Sequence, residues 1–294
     1  MRNGSFKWAL VLSGGGARGL SHVGVIKALT DAGFPKPSLV AGTSMGAIVG
    51  GLYACGMSPS EMKRFVIEEF NIAEYLESFA FRINGPVGKV FQTGQALASL
   101  ATKPGIDRGQ KLLELFEKLT GGKNFEDTEI PFRCNAVDLL TGQEHVFSSG
   151  SVARAMRASM SFPIFFEPFI DNGMCLVDGG LFDNMPVNIA RSEGYDHVLA
   201  IDVNRFLILE SSDLKAGPQV IYRSIESVLK TLEKSRAQAD LTLSCADDST
   251  PFSFYRQREF VELGEKTVKK NHRELESFFK VRTGFWKKRI DTGA

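Results

Sequence analysis

Leu39-Val40-Ala41-Gly42-Thr43-Ser44-Met45-Gly46-Ala47-Ile48 reads as a buried strand that turns sharply into a helix, with a serine at the corner. Leu39-Val40-Ala41 is short and wholly apolar, as a parallel strand covered on both faces must be. Met45 to Cys55, with Ala47, Ile48, Leu52 and Ala54, is the helix that leaves it. Side chains two positions before and two after the central residue of so tight a turn would clash, which accounts for Gly42 and Gly46. A serine held there is sterically free to attack a carbonyl carbon. The same residues also suit a plainer role, a glycine-lined loop whose serine caps the helix.

A second glycine turn lies upstream. Trp8-Ala9-Leu10-Val11-Leu12 predicts another buried strand, closed by Gly14-Gly15-Gly16-Ala17-Arg18-Gly19. From Arg18 to Ala32 the apolar residues Leu20, Val23, Val25, Ile26 and Leu29 recur at helical spacing, and Gly33-Phe34-Pro35 supplies the stop. A glycine turn beside a nucleophilic serine can aim backbone N–H groups at an oxyanion. Gly14, Gly16 and Gly19 also satisfy the dinucleotide fingerprint, which needs an acidic residue roughly 20 positions on to hold the ribose. That residue is missing: the region reads Phe34-Pro35-Lys36-Pro37-Ser38, and the nearby carboxylate, Asp31, lies in the preceding helix. No Gly-Lys-Ser/Thr follows the glycines, so a P-loop is excluded, and no cofactor is expected.

A nucleophilic serine needs a base. The histidines are His22, in the first helix; His145, in a short alternating segment; His197, opening the strand His197–Val203; and His272, in a charged late helix. Of these, His272 alone follows all the other elements, as a Ser-His-Asp triad would ask of its histidine. The other candidate is Asp178, in Met174-Cys175-Leu176-Val177-Asp178-Gly179-Gly180, where an apolar strand delivers a carboxylate and two glycines turn the backbone away. Its alternative is a plain Asp-Gly turn.

Together, Gly14–Gly19, Gly42–Gly46 and Asp178-Gly179-Gly180 resemble the signatures of the patatin-like phospholipase family, in that family's order. Arg157-Ala158-Ser159-Met160-Ser161-Phe162-Pro163, Asp138–Gly142 and Asp183-Asn184-Met185-Pro186-Val187 are similar to family segments too. The resemblance implies a three-layer α/β/α sandwich with a mostly parallel central sheet. It also implies a Ser-Asp dyad without histidine: Ser44 as nucleophile, Asp178 as base, the N–H groups of Gly15, Gly16 and Ala17 as the oxyanion hole, and Arg18 bracing that loop. No metal is required, and lipids or related acyl esters are the implied substrates. A regulatory or adaptor protein that keeps a vestigial site is the non-enzymatic alternative. Residues 7–205 are expected to form the catalytic core, 206–282 to complete the same domain, and 283–294 to be a tail. Residues 70–107 match no family segment.

The apolar residues Phe65, Phe70, Tyr75, Leu76, Phe79, Phe81, Ile83, Val87, Val90 and Phe91 can fold over the site as a lid, joined by Phe162, Phe165, Phe166 and Phe169; ordinary core is the alternative. Helices are predicted over 217–239 and 260–279, with a strand at Leu241–Cys245 between them. A net charge of +1, without a basic-aromatic module, gives no reason to expect nucleic acid. Cys55, Cys134, Cys175 and Cys245 are widely spaced and fit reduced residues of a cytoplasmic protein. No targeting segment is visible at the start. Peripheral membrane contact is a candidate role for the tail Phe278–Arg289, where aromatics adjoin basic residues, with a packed terminal helix as the alternative.

Overall fold

The structure is a computed structural model that describes residues 6–76, 104–211, 214, 217–233 and 238–280. In chain order the strands are β1 (Ala9–Leu12), β2 (Leu39–Gly42), β3 (Gly105–Asp107), β4 (Phe132–Asp138), β5 (Gln143–Phe147), β6 (Ile164–Phe166), β7 (Phe169–Asp171), β8 (Met174–Asp178), β9 (Val198–Asp202) and β10 (Leu241–Ser244). The helices are α1 (Ser21–Asp31), α2 (Met45–Ala54), α3 (Pro59–Arg64), α4 (Ile72–Tyr75), α5 (Gln110–Thr120), α6 (Val152–Ser159), α7 (Val187–Ser192), α8 (Gly217–Glu233), α9 (Gln257–Lys270) and α10 (His272–Lys280).

Strands β10, β9, β1, β2 and β4 are neighbours in that order and run parallel. Their apolar runs are uninterrupted because both faces are covered. Leu10, Leu12 and Val40 pack with α1, α2, α5, α6 and α9 on one side. Ala9, Val11, Leu39 and Ala41 pack on α7 on the other. This is a three-layer α/β/α arrangement around a mostly parallel sheet. The late elements join it: β10 extends the sheet beside β9, and α9 lies so close to α1 that a Cβ on Gly264 would come within 2.1 Å of the Ser21 carbonyl.

β4 is where the parallel pattern ends. Along one edge it pairs antiparallel with β5, Cys134 opposite Phe147 and Ala136 opposite His145. Its other edge is shared end to end by β2, with Gly42 opposite Cys134, and β8, with Asp178 opposite Ala136. β2 runs parallel to β4 and β8 antiparallel, so their C-terminal ends approach each other head-on.

Several boundaries differ from expectation. The first helix begins as a tighter 3-10 turn, Gly16–Leu20, before α1. The late helix predicted over 260–279 is two, α9 and α10: at Asn271 the backbone leaves helical geometry, and its side chain caps the Thr267 carbonyl at 2.8 Å alongside its own N–H. Of the candidate membrane contact Phe278–Arg289, Phe278 and Phe279 pack inward, making edge contacts with Trp8 and Phe6. Its remaining residues from 281 on, the tail 283–294 and residues 77–103 lie outside the described residues. Among the described residues no helix is long and apolar enough to cross a membrane.

Candidate active site

Ser44 stands at the corner between β2 and α2 with φ 52° and ψ −119°, a conformation strained for any residue with a side chain. The corner is wedged from both sides. A Cβ on Gly42 would lie 2.3 Å from the Gly46 carbonyl oxygen, and one on Gly46 would lie 2.2 Å from the carbonyl oxygen of Leu12, at the end of β1. Only hydrogen fits at either position.

The Ser44 hydroxyl donates to Asp178 Oδ2 at 2.7 Å. The other carboxylate oxygen, Oδ1, accepts the Gly180 N–H at 2.8 Å, which fixes the rotamer. Burial pushes the Asp178 carboxyl up from 3.8 to about 7, while the bonds from Ser44 and Gly180 pull the other way.

Both residues are held by the last residue of α6 and the stretch just after it. The Ser44 N–H donates to Ser159 Oγ at 2.9 Å, and the Asp178 N–H donates to the Ser161 carbonyl at 3.0 Å. Arg157, buried, ties this stretch down by donating to Ser161 Oγ at 2.6 Å. Between the abutting ends of β2 and β8 sits buried Asn135 of β4. Its Oδ1 lies 2.8 Å from the Thr43 hydroxyl, and its Nδ2 donates to the Asp183 carbonyl at 3.0 Å and to Glu144 at 2.7 Å. The sequence pattern by itself assigns no role to Arg157–Pro163 or to Asn135. An asparagine inside an apolar strand was the available signal, since a buried amide must find partners.

The glycine turn lies beside the pair. The Gly14 N–H donates to the Asn184 carbonyl at 2.9 Å. Ala17, expected among the anion-binding donors, gives its N–H instead to the Pro251 carbonyl at 2.8 Å. Gly15 and Gly16 remain, both lining the same cavity as Ser44. Asn204, just past β9, donates from Nδ2 to the Gly14 carbonyl at 2.8 Å. In a trans peptide the C=O and the next N–H point opposite ways, so this bond also sets the direction of the Gly15 N–H. Arg18 is buried and donates to Asn204 Oδ1 at 3.2 Å and to the Gly15 carbonyl at 3.4 Å. Gly19 sits against Met45, so the two glycine turns touch.

From Ser44 and Asp178 a cavity of about 290 Å³ runs between α2, α3 and α5, lined by apolar residues that include Ile48, Leu52, Met62, Leu115 and Phe116. Of the aromatic residues singled out in the sequence, Phe65, Phe70, Phe162, Phe165 and Phe166 line it, as does Leu76; Tyr75 and Phe169 do not. Phe79, Phe81, Ile83, Val87, Val90 and Phe91 lie outside the described residues. None of the four histidines lines the cavity. His22 is buried with Nε2 2.8 Å from the Ser13 carbonyl oxygen, and burial pushes its pKa down to about 4. His272 sits by the Phe34 ring and Glu276.

The family model described as patatin-like phospholipase matches residues 10–191, a span that holds both glycine turns, Ser44 and Asp178. The chain belongs to the patatin-like phospholipase family. Among curated patatin-like relatives, "Lysophospholipase NTE1" of Candida albicans is 34% identical over 197 residues, covering 66% of this chain and 13% of its own length. "Patatin-like phospholipase domain-containing protein 6" of Homo sapiens is 37% identical over 197 residues, with the same two coverages, 66% and 13%. This patatin-like chain therefore spans about an eighth of the length of those relatives. Among solved structures, VipD from Legionella pneumophila superposes with a TM-score of 0.52 at 18% identity, over 92% of this chain and 67% of that one, a likeness of fold.

Proposed function

We propose that this chain is a serine acyl hydrolase that cleaves acyl esters of phospholipids or lysophospholipids through a Ser44–Asp178 dyad and an acyl-enzyme intermediate. The observation that carries this reading is the 2.7 Å hydrogen bond from Ser44 to Asp178 at the head of an apolar cavity, beside a glycine turn with N–H groups to offer.

Asp178 accepts the hydroxyl proton as Ser44 Oγ bonds to the ester carbonyl carbon. The carbonyl oxygen becomes an oxyanion facing the N–H groups of Gly15 and Gly16. As the intermediate collapses, the carbon–oxygen bond to the leaving alcohol breaks and that oxygen takes the proton back from Asp178. Water then enters, gives a proton to Asp178 and attacks the acyl carbon; the fatty acid departs and Ser44 recovers its proton. A carboxylate with a pKa near 7 is well matched to this exchange at neutral pH, where an ordinary aspartate is too weak a base. The absence of histidine from the cavity lining supports the dyad over a Ser-His-Asp triad through His272.

One apolar cavity suits one acyl chain at a time, which favours monoacyl substrates, and the name lysophospholipase borne by the fungal relatives accords with that. Residues 206–282 are read as completing the same catalytic unit, because β10 extends its sheet and α8 and Pro251 reach its cavity. The test is hydrolysis of a lipid panel with products identified by mass spectrometry, alongside a fluorophosphonate probe. Lysolipid cleavage with labelling confined to Ser44 is the expected result. Absence of both would leave an adaptor role.

A further inference from the structure

The cavity that begins at Ser44 also has a polar mouth, formed by the strap after β9 and by α8. Arg205, Phe206, Glu226 and Lys230 line it, the last two a helical turn apart on α8. The Phe206 ring carries two cations, the Arg223 guanidinium 3.6 Å and the Lys230 ammonium 4.0 Å from its centroid. They are not equivalent. Arg223 donates to the Leu207 carbonyl and pairs with Glu226 at 3.1 Å, which anchors the ring and neutralises that carboxylate. Asp202, the other acidic group at the mouth, accepts the Asn204 N–H at 2.9 Å.

Lys230 has no carboxylate partner among the described residues. Contact with a ring face holds an ammonium in place without using up its N–H donors, so this one is positioned yet open to an anion. Arg205, next to Phe206 in the chain and on the same cavity wall, is tied to Asp248 at 2.8 Å, but both side chains are largely exposed and such a pair is readily given up for a better anion. Arg18, the remaining cation on the cavity wall, is spent on Gly15 and Asn204.

We propose that Lys230, seated on Phe206 and assisted by Arg205, binds the phosphate of the substrate's head group and so selects acyl esters that carry a phosphate near the scissile bond. The inference rests on the Ser44–Asp178 reading for the chemistry it serves. The phosphate keeps its charge throughout acyl transfer, so the contact strengthens ground state and transition state alike and acts on KM rather than kcat.

The experiment compares wild type, Lys230→Met and Arg205→Met on lysophosphatidylcholine and on a neutral monoacylglycerol of the same chain, with Ser44→Ala as the control. The expected result is a KM for lysophosphatidylcholine raised on the order of tenfold by Lys230→Met and less by Arg205→Met, with kcat and the KM for monoacylglycerol unchanged. Binding without turnover is read by titrating dodecylphosphocholine, below its micelle concentration, into Ser44→Ala with and without Lys230→Met. The added substitution should weaken it by a similar factor and leave a neutral dodecyl glycol ether unaffected. Equal effects on neutral and phosphate-bearing ligands, or none on either, overturn the proposal. If inorganic phosphate inhibits wild-type hydrolysis of the neutral ester while Lys230→Met leaves the lysolipid KM unchanged, free phosphate is the occupant and the head-group assignment falls. Hydrolysis retained in Ser44→Ala would sink the dyad instead, a result the dodecylphosphocholine titration keeps separate from the fate of Lys230.

Discussion

Gly42 and Asp178 lie on the same edge of β4, opposite Cys134 and Ala136, at the ends of strands that run toward each other. That head-on approach brings a hydroxyl and a carboxylate 134 positions apart in sequence to 2.7 Å. It depends on β8 being antiparallel. A parallel strand reaching that edge would run the same way as β2, and its final residue would not meet Ser44 end to end. Asn135, between the two registers, ties the loops on either side together through Thr43 and the Asp183 carbonyl.

Removing either member of the pair should abolish hydrolysis without unfolding the chain. Ser44→Ala and Asp178→Asn are each expected to lower kcat on a short-chain aryl ester by at least roughly 10³-fold, with far-ultraviolet circular dichroism unchanged. Near-wild-type turnover in either would show that the pair is not the catalytic one.

The raised pKa of Asp178 sets a pH profile. As a base it must be ionised, so kcat/KM for the free enzyme should climb through pH about 7 and level off above it. Stability runs the other way. The folded pKa lies above the unfolded value, so the contribution of Asp178 is full below pH about 4 and is lost as pH rises through about 7. His22, depressed to about 4, has the opposite slope, losing stability as pH falls below about 6.5, so the two partly offset between pH 4 and 7. Asp178→Asn removes one of them. Its melting temperature should exceed that of wild type at pH 8, with the gap closing toward pH 4; a gap independent of pH would contradict the assigned shift.

Asn204 donates to the Gly14 carbonyl, 190 positions away in sequence, and so sets the direction of the Gly15 N–H proposed to face the oxyanion. Asn204→Ala should lower kcat by about 10- to 100-fold with little change in KM, since the Gly15 N–H would no longer be aimed. Asn204→Asp keeps an acceptor for Arg18 but loses the donor to Gly14, and is expected to fail as badly. Steady-state kinetics on the aryl ester decide this, with slowed fluorophosphonate labelling as the second readout.

Ser159 accepts the N–H of Ser44, whose backbone is strained. Ser159→Ala should cost about 1–2 kcal/mol in denaturant unfolding and lower kcat, because the Ser44 N–H loses its acceptor at a backbone already strained by positive φ. Ser159→Thr keeps the hydroxyl and should recover part of both.

His272→Ala should leave turnover unchanged. Its ring neighbours Phe34 and Glu276, away from the cavity lining, and a large loss of kcat would restore the triad as the better reading.

The two strand–glycine–helix units were legible from residues 8–55 alone, because they rest on local sterics. Uninterrupted apolar runs specify strands covered on both faces, and a corner that rejects any Cβ specifies glycine at 42 and 46. Local periodicity also located β8, β9 and β10, since strand signals need only a few neighbouring residues. It did not foresee the break at Asn271, where the backbone departs from helical φ and ψ while its N–H still reaches the Thr267 carbonyl.

What the tertiary structure alone decided was which distant groups meet. From the sequence, Asp178 and His272 were both open as partners for Ser44, and Ala17 counted among the anion donors; strand order joined Ser44 to Asp178, and Pro251 took the Ala17 N–H. The same holds for Asn135, Ser159 and Asn204. Their contacts span 92, 115 and 190 positions, and no local pattern carries them, because they exist only once the sheet has put β4, the end of β9 and the C-terminal end of α6 around one corner.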